Sequence, residues 1–268
     1  MNQTIGYESD TVISREKIAR RWPDVHQFND AAPSYEVMAT NIDAMRETTK
    51  NYYAWMADSL RPFLGRRTME VGAGPGFLSN HLVNFDLYLI TETWVPFIDD
   101  LRRRTALRPE VEVMSFDVID LKARCDEIRS LRLDSMFSTN MLEHLSDDIE
   151  VLRDMARPLH PGGCVVNLVP AYRRLYGRHD LVIGHFRRYE PAELRAKMEA
   201  AGLTVERILT FNQAGVFAWL ATSKFLRRSN ASGSQYATFD RLVPLFRLWE
   251  RIVPIPIGLS LIGVGHVR

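Results

Sequence analysis

Three glycines occupy alternate positions in the stretch TMEVGAGPGFLSNHL, residues 68–82. A short apolar segment runs into Gly72, Gly74 and Gly76, and an acid, Glu70, stands two residues before the first of them. Because glycine has no side chain, such a loop lets a ligand rest against bare backbone. The spacing therefore predicts a loop that binds a nucleoside-containing ligand, and the residues around the glycines must show which one.

Three ligands compete for this loop: a nucleoside triphosphate, a dinucleotide and S-adenosylmethionine. A triphosphate loop needs Lys and then Ser or Thr after its last glycine, whereas Phe77 and Leu78 follow here. The dinucleotide fingerprint is G-x-G-x-x-G, whereas this loop reads G-x-G-x-G around Pro75. The carboxylate of Glu70 would repel a pyrophosphate and would suit the ammonium and sulfonium charges of S-adenosylmethionine. A tight turn that binds nothing stays an alternative.

Two further acids stand where a nucleoside would need them. Glu92 follows the apolar segment FDLYLI, twenty residues after Gly72, where the second strand of a Rossmann-like fold presents an acid to ribose hydroxyls. Asp117 follows the next apolar segment, in VMSFDVIDL, within reach of an adenine amino group. Each acid alone is compatible with a solvated surface. At the ends of successive strands, the two together indicate one nucleoside site.

Strand-like and helix-like segments alternate along the chain and must position these residues. The apolar segments predict strands at 67–72, 86–91, 110–115, 134–139 and 163–169. Helical spacing begins in the segment 51–65, and the later segments predict helices at 76–84, 95–106, 147–157 and 191–201. Such alternation is typical of a mostly parallel sheet with helices on both faces. Ligands of these folds bind at the carboxyl ends of the strands.

Taken together, these motifs resemble those of the class I S-adenosylmethionine-dependent methyltransferases. MEVGAGPGF is similar to their first motif, Glu92 to the acid of the second, and FDVIDL to the adenine-binding segment. LDSMFSTNMLEHLSDD and ARPLHPGGCVVNLVP resemble the motifs of the fourth and fifth strands. The likeness covers about residues 51–210 and returns in GLSLIGVGHVR. The stretch YRRLYGRHDLVIGHFRRYEPAEL also resembles a bacterial small-molecule methyltransferase subgroup with an L-Y-G…D…G-H-x-R-R-Y signature.

The resemblance implies an α/β fold with a Rossmann-like seven-stranded sheet, in the order 3-2-1-4-5-7-6 with strand 7 antiparallel. We expect an N-terminal helical cap at 1–50, a methyltransferase domain at 51–268, and a helical insertion at about 211–257 between the last two strands. A linker-like segment lies at 227–235. Aromatic residues of the N-terminal part, which include Trp22, Phe28, Tyr35, Tyr52 and Tyr53, would form a lid over the reaction or pack on the sheet.

The resemblance also implies a set of residues that contact the cofactor, S-adenosyl-L-methionine, and its product, S-adenosyl-L-homocysteine. The glycine loop would face the methionine end, the acid before it the amino group, the second acid the ribose, and the last two pairs the adenine and the far side of the pocket. The set is Glu70, Gly72, Ala73, Gly74, Gly76, Glu92, Asp117, Val118, Asn140 and Met141. Glu92 departs by one methylene from the Asp that is usual at its position.

Methyl transfer from a sulfonium is an in-line displacement, in which orientation of the nucleophile supplies much of the acceleration. A base helps if the acceptor is a hydroxyl or a protonated amine, and histidine titrates in the right range. We therefore predict His185 and His144, which follow strands at the pocket edge, as catalytic residues. His185 would act as a base or orient the acceptor. A purely structural histidine is the alternative.

Three residues are predicted to bind the acceptor: Tyr53 in the first helix, and Arg188 and Tyr189 beside His185. An internal salt-bridge cluster is the alternative for the latter two. Glu143, His144 and His185 also resemble part of the Glu-x-x-Glu-His…His arrangement of metal-dependent small-RNA and quinone O-methyltransferases. Asn140 stands where the first Glu would be, and loss of a carboxylate weakens a site for a hard cation. We therefore expect no metal.

The composition limits the classes of partner that the protein is expected to bind. The 268 residues carry a formal net charge of +1, which argues against a nucleic-acid substrate. Two cysteines, an N-terminal segment without the apolar core of a secretory signal, and no apolar run long enough to span a bilayer predict a soluble cytoplasmic protein. Membrane-surface contact by the insertion and a homo-oligomer stay open.

The predicted activity is methyl transfer to an oxygen, nitrogen or carbon nucleophile of a small organic metabolite, in secondary metabolism or biosynthesis. Two alternatives remain on the same fold. One is an NAD(P)-dependent oxidoreductase, against which the glycine spacing and Glu70 argue. The other is a non-catalytic cofactor-binding subunit, which the complete set of motifs disfavours.

Overall fold

The structure, a computed structural model, describes residues 42–220, 233–253 and 255–268. Its centre is a seven-stranded sheet in the order β3-β2-β1-β4-β5-β7-β6. The strands are β1 (Arg67–Glu70), β2 (Leu87–Glu92), β3 (Val111–Ser115), β4 (Ser135–Thr139), β5 (Cys164–Pro170), β6 (Leu203–Phe211) and β7 (Ser260–Val267). Pairs among β1 to β5 are parallel, and β7 runs antiparallel to both β5 and β6. The predicted fold and strand order are confirmed.

The five predicted strands coincide with β1 to β5 to within two residues. All residues of β2 and β5 are buried, because helices cover both faces of a parallel sheet and leave no solvent-exposed side. This explains why both strands appear in the sequence as almost continuous apolar runs.

Helices and short helical turns connect the strands. The helices are α1 (Ile42–Thr48), α2 (Lys50–Leu60), α3 (Val95–Thr105), α4 (Cys125–Ser130), α5 (Asp148–Ala156), α6 (Arg178–Val182), α7 (Pro191–Ala200), α8 (Gln213–Trp219) and α9 (Gly233–Ile252). The 3-10 turns are Arg61–Phe63, Val118–Asp120, Leu142–His144 and Arg173–Leu175. The segment predicted as helical at 51–65 is thus α2 followed by the first of these turns.

Alternate residues of the strands face two apolar cores. On one face Met69 and Leu89 join a cluster that includes Leu152 of α5 and Met198 of α7. The opposite face carries Tyr88, which joins a cluster with residues of α2, α3 and α9. The helices therefore form a layer on each side of the sheet. The ends of the strands, between the two layers, are left for a ligand-binding site.

The predicted helix at 76–84 is wrong, because this segment forms consecutive turns. The Ser79 hydroxyl donates to the carbonyl of Gly76 at 2.6 Å. The guanidinium of Arg108 donates to the carbonyls of Ser79 and Leu82 at 2.5 and 2.8 Å. In a helix over 76–84, the carbonyls of Gly76 and Ser79 would accept backbone N–H groups; here they accept side-chain donors instead. Leu78 and Leu82 are still buried, which accounts for the helical spacing in the sequence.

The predicted cap and insertion are described in part. Residues 1–41, with Trp22, Phe28 and Tyr35, lie outside the described residues. So does most of the linker-like segment 227–235, although its last three residues begin α9. The insertion contributes α8 and α9 in the part that is described. Within that part of the chain no helix is long and apolar enough to cross a membrane.

Candidate functional site

The glycine loop forms a tight turn at the carboxyl end of β1. The N–H of Ala73 donates to the carbonyl of Thr91 in β2 at 2.9 Å, and the N–H of Gly76 donates back to Ala73 at 3.0 Å. Gly72, Gly74 and Gly76 have φ values of 70°, 56° and 65°, the left-handed region that disfavours side chains. A Cβ on Gly76 would lie 2.3 Å from the Leu101 side chain of α3. The loop therefore needs glycine for its conformation and for close packing on α3.

Glu92, at the end of β2, is brought directly to this loop. Its Oε2 accepts the N–H of Gly74 at 2.7 Å, and its Oε1 accepts the N–H groups of Thr93 and Trp94 at 2.9 and 3.0 Å. The residue is 5% exposed. The acids and glycines that the sequence places twenty residues apart thus form one arrangement at the edge of the sheet.

Glu70 lies below the loop, within the sheet. It is 1% exposed and accepts a hydrogen bond from the hydroxyl of Tyr88 on β2. Burial raises the pKa of Glu70 from its ordinary 4.5 to about 7; the Tyr88 hydrogen bond opposes this shift, and the charge of Glu92 adds to it. Glu70 is therefore an acid that holds a proton over a large part of the neutral range.

The remaining predicted cofactor residues lie at the ends of β3 and β4. Asp117 is exposed, and its Oδ1 accepts the N–H of Ile119 at 3.1 Å and so caps the turn Val118–Asp120. Asn140 is exposed in a left-handed conformation (φ 49°). Met141 packs against the loop, because a Cβ on Gly72 would lie 3.0 Å from its Cγ. The order of the strands places all of these residues along one edge of the sheet.

Two histidines meet on the β5 side of this edge. His144 ends the turn after β4, and its ring centroid lies 4.7 Å from that of His185, which follows α6. The Nδ1 atom of His185 is 2.9 Å from Oδ1 of Asp180. Burial lowers the pKa of His185 against the opposing effect of Asp180. Burial, with the nearby His185, lowers the pKa of His144 to about 3. Both imidazoles are therefore neutral at neutral pH.

A buried carboxyl completes this cluster. Glu143 is fully buried, and neither of its oxygens has a hydrogen-bond partner among the described residues. Burial raises its pKa to about 8, against the opposing charge of Arg188. Its Oε1 lies 3.6 Å from Nε2 of His185. Ligand atoms of Glu143, His144 and His185 all lie within 4.8 Å of one another, so these three residues have the donor types and spacing to hold a divalent cation.

Comparison with known proteins identifies the type of domain that contains the glycine loop. Residues 69–167 match the family model of a methyltransferase domain. The chain is also 25% identical over 222 residues to the ubiquinone biosynthesis O-methyltransferase of Aeromonas salmonicida, a match that covers 76% of this chain and 85% of the relative. The chain is an S-adenosylmethionine-dependent methyltransferase.

Solved structures confirm the fold of this methyltransferase. A chain of the complex between the Haloferax volcanii Trm112 methyltransferase activator and a methyltransferase superimposes with a TM-score of 0.60 at 16% identity, over 89% of this chain and 99% of that one. A Thermotoga maritima protein described as a possible histamine N-methyltransferase gives a TM-score of 0.57 at 15% identity, over 87% of this chain and 98% of that one.

The two residues predicted to bind the acceptor beside His185 make internal contacts in the methyltransferase. Arg188 is 3% exposed; it donates to Asp180 at 2.8 Å, and its guanidinium lies 4.3 Å above the ring of Trp219. Tyr189 is fully buried, and its hydroxyl donates to Asp148 at 2.8 Å. Both side chains therefore make contacts within the protein. This is the arrangement expected for the alternative, an internal salt-bridge cluster.

Tyr53, the third predicted acceptor residue, lies beside the glycine loop. Its ring is 4.7 Å from that of Phe77, the residue that follows the last glycine, and 5.4 Å from that of Tyr52. Burial raises its pKa far above the ordinary value for tyrosine. Tyr53 is thus a neutral, partly buried aromatic group that α2 brings beside the glycine loop.

Sequence reasoning missed Asp180, which contacts both His185 and Arg188. The signal was present, because Asp180 is the Asp of the L-Y-G…D…G-H-x-R-R-Y signature. It also missed Thr91 and Tyr88, whose partners lie in the glycine loop and in β1. No local pattern distinguishes these two residues from other members of a buried strand.

Proposed function

We propose that the methyltransferase binds S-adenosylmethionine on its glycine loop and transfers the methyl group to a nucleophile of a small organic acceptor. The contact between Gly74 and the buried carboxylate of Glu92 carries this proposal. This contact brings the bare backbone of the loop next to the acid that is proposed to bind the ribose, and a nucleoside donor needs both groups close together.

The other cofactor contacts follow from the same edge. Glu70 would lie near the amino group, Asp117 and Val118 would hold the adenine, and Asn140 and Met141 would line the far side. Exposed Asp117 and Asn140 have polar groups free to face solvent or a ligand. The cofactor supplies a methyl group activated by the sulfonium charge, and the chain supplies its orientation.

His185 is proposed as the base. Asp180 accepts from Nδ1–H, so the lone pair of the neutral imidazole is on Nε2. That atom can take the proton of an acceptor hydroxyl or ammonium as the bond to the methyl carbon forms. Such a base typically contributes about 10²–10⁴-fold to the rate. Asp180, His185 and Arg188 all belong to the sequence signature, so their meeting also supports membership of the bacterial small-molecule subgroup.

The acceptor class rests on charge and on the named relative. A net charge of +1 disfavours nucleic acid, and the Aeromonas salmonicida relative is an O-methyltransferase. Oxygen acceptors are therefore the first to assay, with nitrogen and carbon acceptors next. A role in secondary metabolism is part of the proposal.

The proposal is tested by calorimetry with S-adenosylmethionine, S-adenosylhomocysteine and NAD(P). Wild-type protein should bind the first two. Glu92→Gln should weaken binding by roughly tenfold, since it removes a charge-assisted contact. Glu112→Gln is the matched control, because Glu112 is an exposed acid of β3. Binding of NAD(P) without binding of S-adenosylmethionine would reverse the assignment.

The base is tested separately, once an acceptor has been found with labelled cofactor. His185→Ala should lower the turnover number, whereas His266→Ala, which alters a partly exposed histidine paired with Glu206, should not. Unchanged turnover in His185→Ala would show that His185 is not the base.

The cluster of Glu143, His144 and His185 gives a second possible role for the same histidines. A divalent cation held there would polarise the acceptor oxygen. Exhaustive chelation followed by addition of Mg²⁺, Mn²⁺ or Zn²⁺ distinguishes the two roles. Turnover that survives chelation excludes the cation; turnover that is lost and then restored by one metal establishes it.

A further inference from the structure

Behind the glycine loop, two arginines from different helices meet at one backbone carbonyl, that of Pro75. Arg104 of α3 donates to this oxygen at 2.8 Å, and Arg46 of α1 donates to it at 3.4 Å. Both guanidinium groups are also bound to Asp100 of α3, each at 2.8 Å. We call Arg46, Asp100 and Arg104 the Pro75 clamp.

The clamp contacts the peptide that joins Pro75 to Gly76, the last glycine of the loop. The peptide between Pro75 and Gly76 is planar, so holding the carbonyl on one side also fixes the direction of the Gly76 N–H on the other. That N–H closes the turn on Ala73 at 3.0 Å. Glycine adopts many backbone conformations when unconstrained, so a restraint at this peptide narrows the shapes available to the whole loop.

The clamp is largely shielded from solvent. Its side chains are 16%, 21% and 16% exposed, and both guanidinium groups are paired with the same carboxylate. Both arginines donate to the carbonyl of Pro75, and Arg104 also donates to Oδ1 of Asn80, in the turns that follow the loop, at 3.3 Å. The effect of the clamp is therefore expected on the loop itself.

We propose that Arg104, Asp100 and Arg46 are positioning residues that hold the glycine loop in its cofactor-binding shape before the cofactor arrives. This inference rests on the proposed function, because it assumes that S-adenosylmethionine binds this loop. A loop that is already ordered avoids the entropy cost of ordering on binding. Loss of the clamp should therefore weaken cofactor affinity and leave the chemical step unchanged.

The test compares three variants of the full chain. Arg104→Met removes the shorter bond to Pro75. Arg104→Lys keeps the charge beside Asp100. Arg103→Met is the matched control, because Arg103 also binds Asp100 from α3 but is largely exposed, and its described hydrogen bond goes to Asp100 alone.

The measurements are the Kd of S-adenosylhomocysteine by calorimetry and the KM for S-adenosylmethionine with kcat. In Arg104→Met, Kd and KM should rise roughly tenfold, as for loss of a charge-assisted hydrogen bond, with kcat at saturating cofactor within about twofold of wild type. Arg104→Lys should recover part of the affinity, and Arg103→Met should match wild type.

Two results overturn the clamp while leaving the proposed function intact. One is wild-type affinity in Arg104→Met. The other is an equal loss in Arg103→Met, which would assign the effect to net charge. Should Arg104→Met fail to fold, Arg46→Met replaces it with the same expectations. Failure of the wild-type protein to bind either nucleoside would overturn the proposed function, and the clamp with it.

Discussion

Asp117 and Asn140, which follow the carboxyl ends of β3 and β4, are exposed. Beyond β5, in contrast, Asp180 is fully buried, and Arg187 and Arg188 are 3% exposed. The side chains of the second region bind one another: Arg188 donates to Asp180 and Arg187 to Asp148. Residues of both regions were predicted to contact ligands: Asp117 and Asn140 the cofactor, and Arg188 and Tyr189 the acceptor.

The difference shows that a charged residue near a pocket has one of two roles: it stays exposed, where a ligand can reach it, or it pairs with other side chains and fixes their positions. In the region of the glycine loop, Asp117 and Asn140 stay exposed at the ends of their strands, and the backbone of the glycines is the proposed binding surface. In the region beyond β5, charges hold one imidazole and the first turn of α5 in place. Local sequence gives the residue type, whereas the long-range partner decides the use.

The largest expected effect comes from breaking the buried network. Arg188→Met should lower the free energy of unfolding by about 3–5 kcal/mol, because it leaves Asp180 buried without its cationic partner. Chemical denaturation measures this change. Arg174→Met, an exposed arginine of the preceding turn, should change stability by less than about 0.5 kcal/mol. A small effect of Arg188→Met would mean that the network contributes little and would leave Arg188 available to the acceptor.

Glu70 is also a buried acid, but it lies at the end of β1, next to the glycine loop. The folded protein keeps a proton on Glu70 that the unfolded chain has lost between pH 4.5 and about 7. Stability should therefore fall as pH rises through this window, by roughly 3 kcal/mol in total. Glu70→Gln should remove that part of the slope and be more stable than wild type at pH 8. Parallel pH profiles of the two proteins would contradict the assignment.

A smaller effect is expected for Tyr189, whose ring is packed but whose hydroxyl binds Asp148. Tyr189→Phe keeps the packing and removes one hydrogen bond to a charged group, so the loss should be about 1.5–3 kcal/mol. Thermal and urea unfolding measure it. Asp148 retains Arg187 and Lys197 as partners, which favours the lower end. A change in acceptor KM without loss of stability would instead place Tyr189 in the acceptor site.

The smallest change in stability is expected for Asp117→Asn. Asparagine caps a helical turn as well as aspartate does, so unfolding should shift by less than about 0.5 kcal/mol. Affinity for S-adenosylmethionine should fall severalfold if the carboxylate receives the adenine amino group. Unchanged affinity would remove Asp117 from the cofactor site. A large loss of stability would instead end the contrast between the two regions.

The strands and the cofactor edge were largely predictable. Buried parallel strands leave continuous apolar runs, as in β2 and β5, and glycines that need positive φ leave their own spacing. The strand order followed from the resemblance, and the structure confirms it. The spacing from Gly72 predicted Glu92 at the end of the second strand, where it lies. These features are encoded within short stretches of sequence.

Other features depend on distant residues and could not be predicted. The segment at 76–84 has apolar residues at helical spacing, but Arg108 takes its carbonyls. Arg188 and Tyr189 were predicted to bind the acceptor, with an internal cluster as the alternative, and their partners are Asp180 and Asp148. Nothing in the spacing of these residues specifies which atoms they meet.

The antiparallel strand β7 has a consequence for the order in which the sheet assembles. β6 is an edge strand whose neighbour in the sheet is β7, and β7 lies between it and β5. As the ribosome delivers the chain, β6 emerges well before residues 260–267. Until they follow, β6 lacks the strand that connects it to the sheet, and its backbone is open to pairing with other nascent chains.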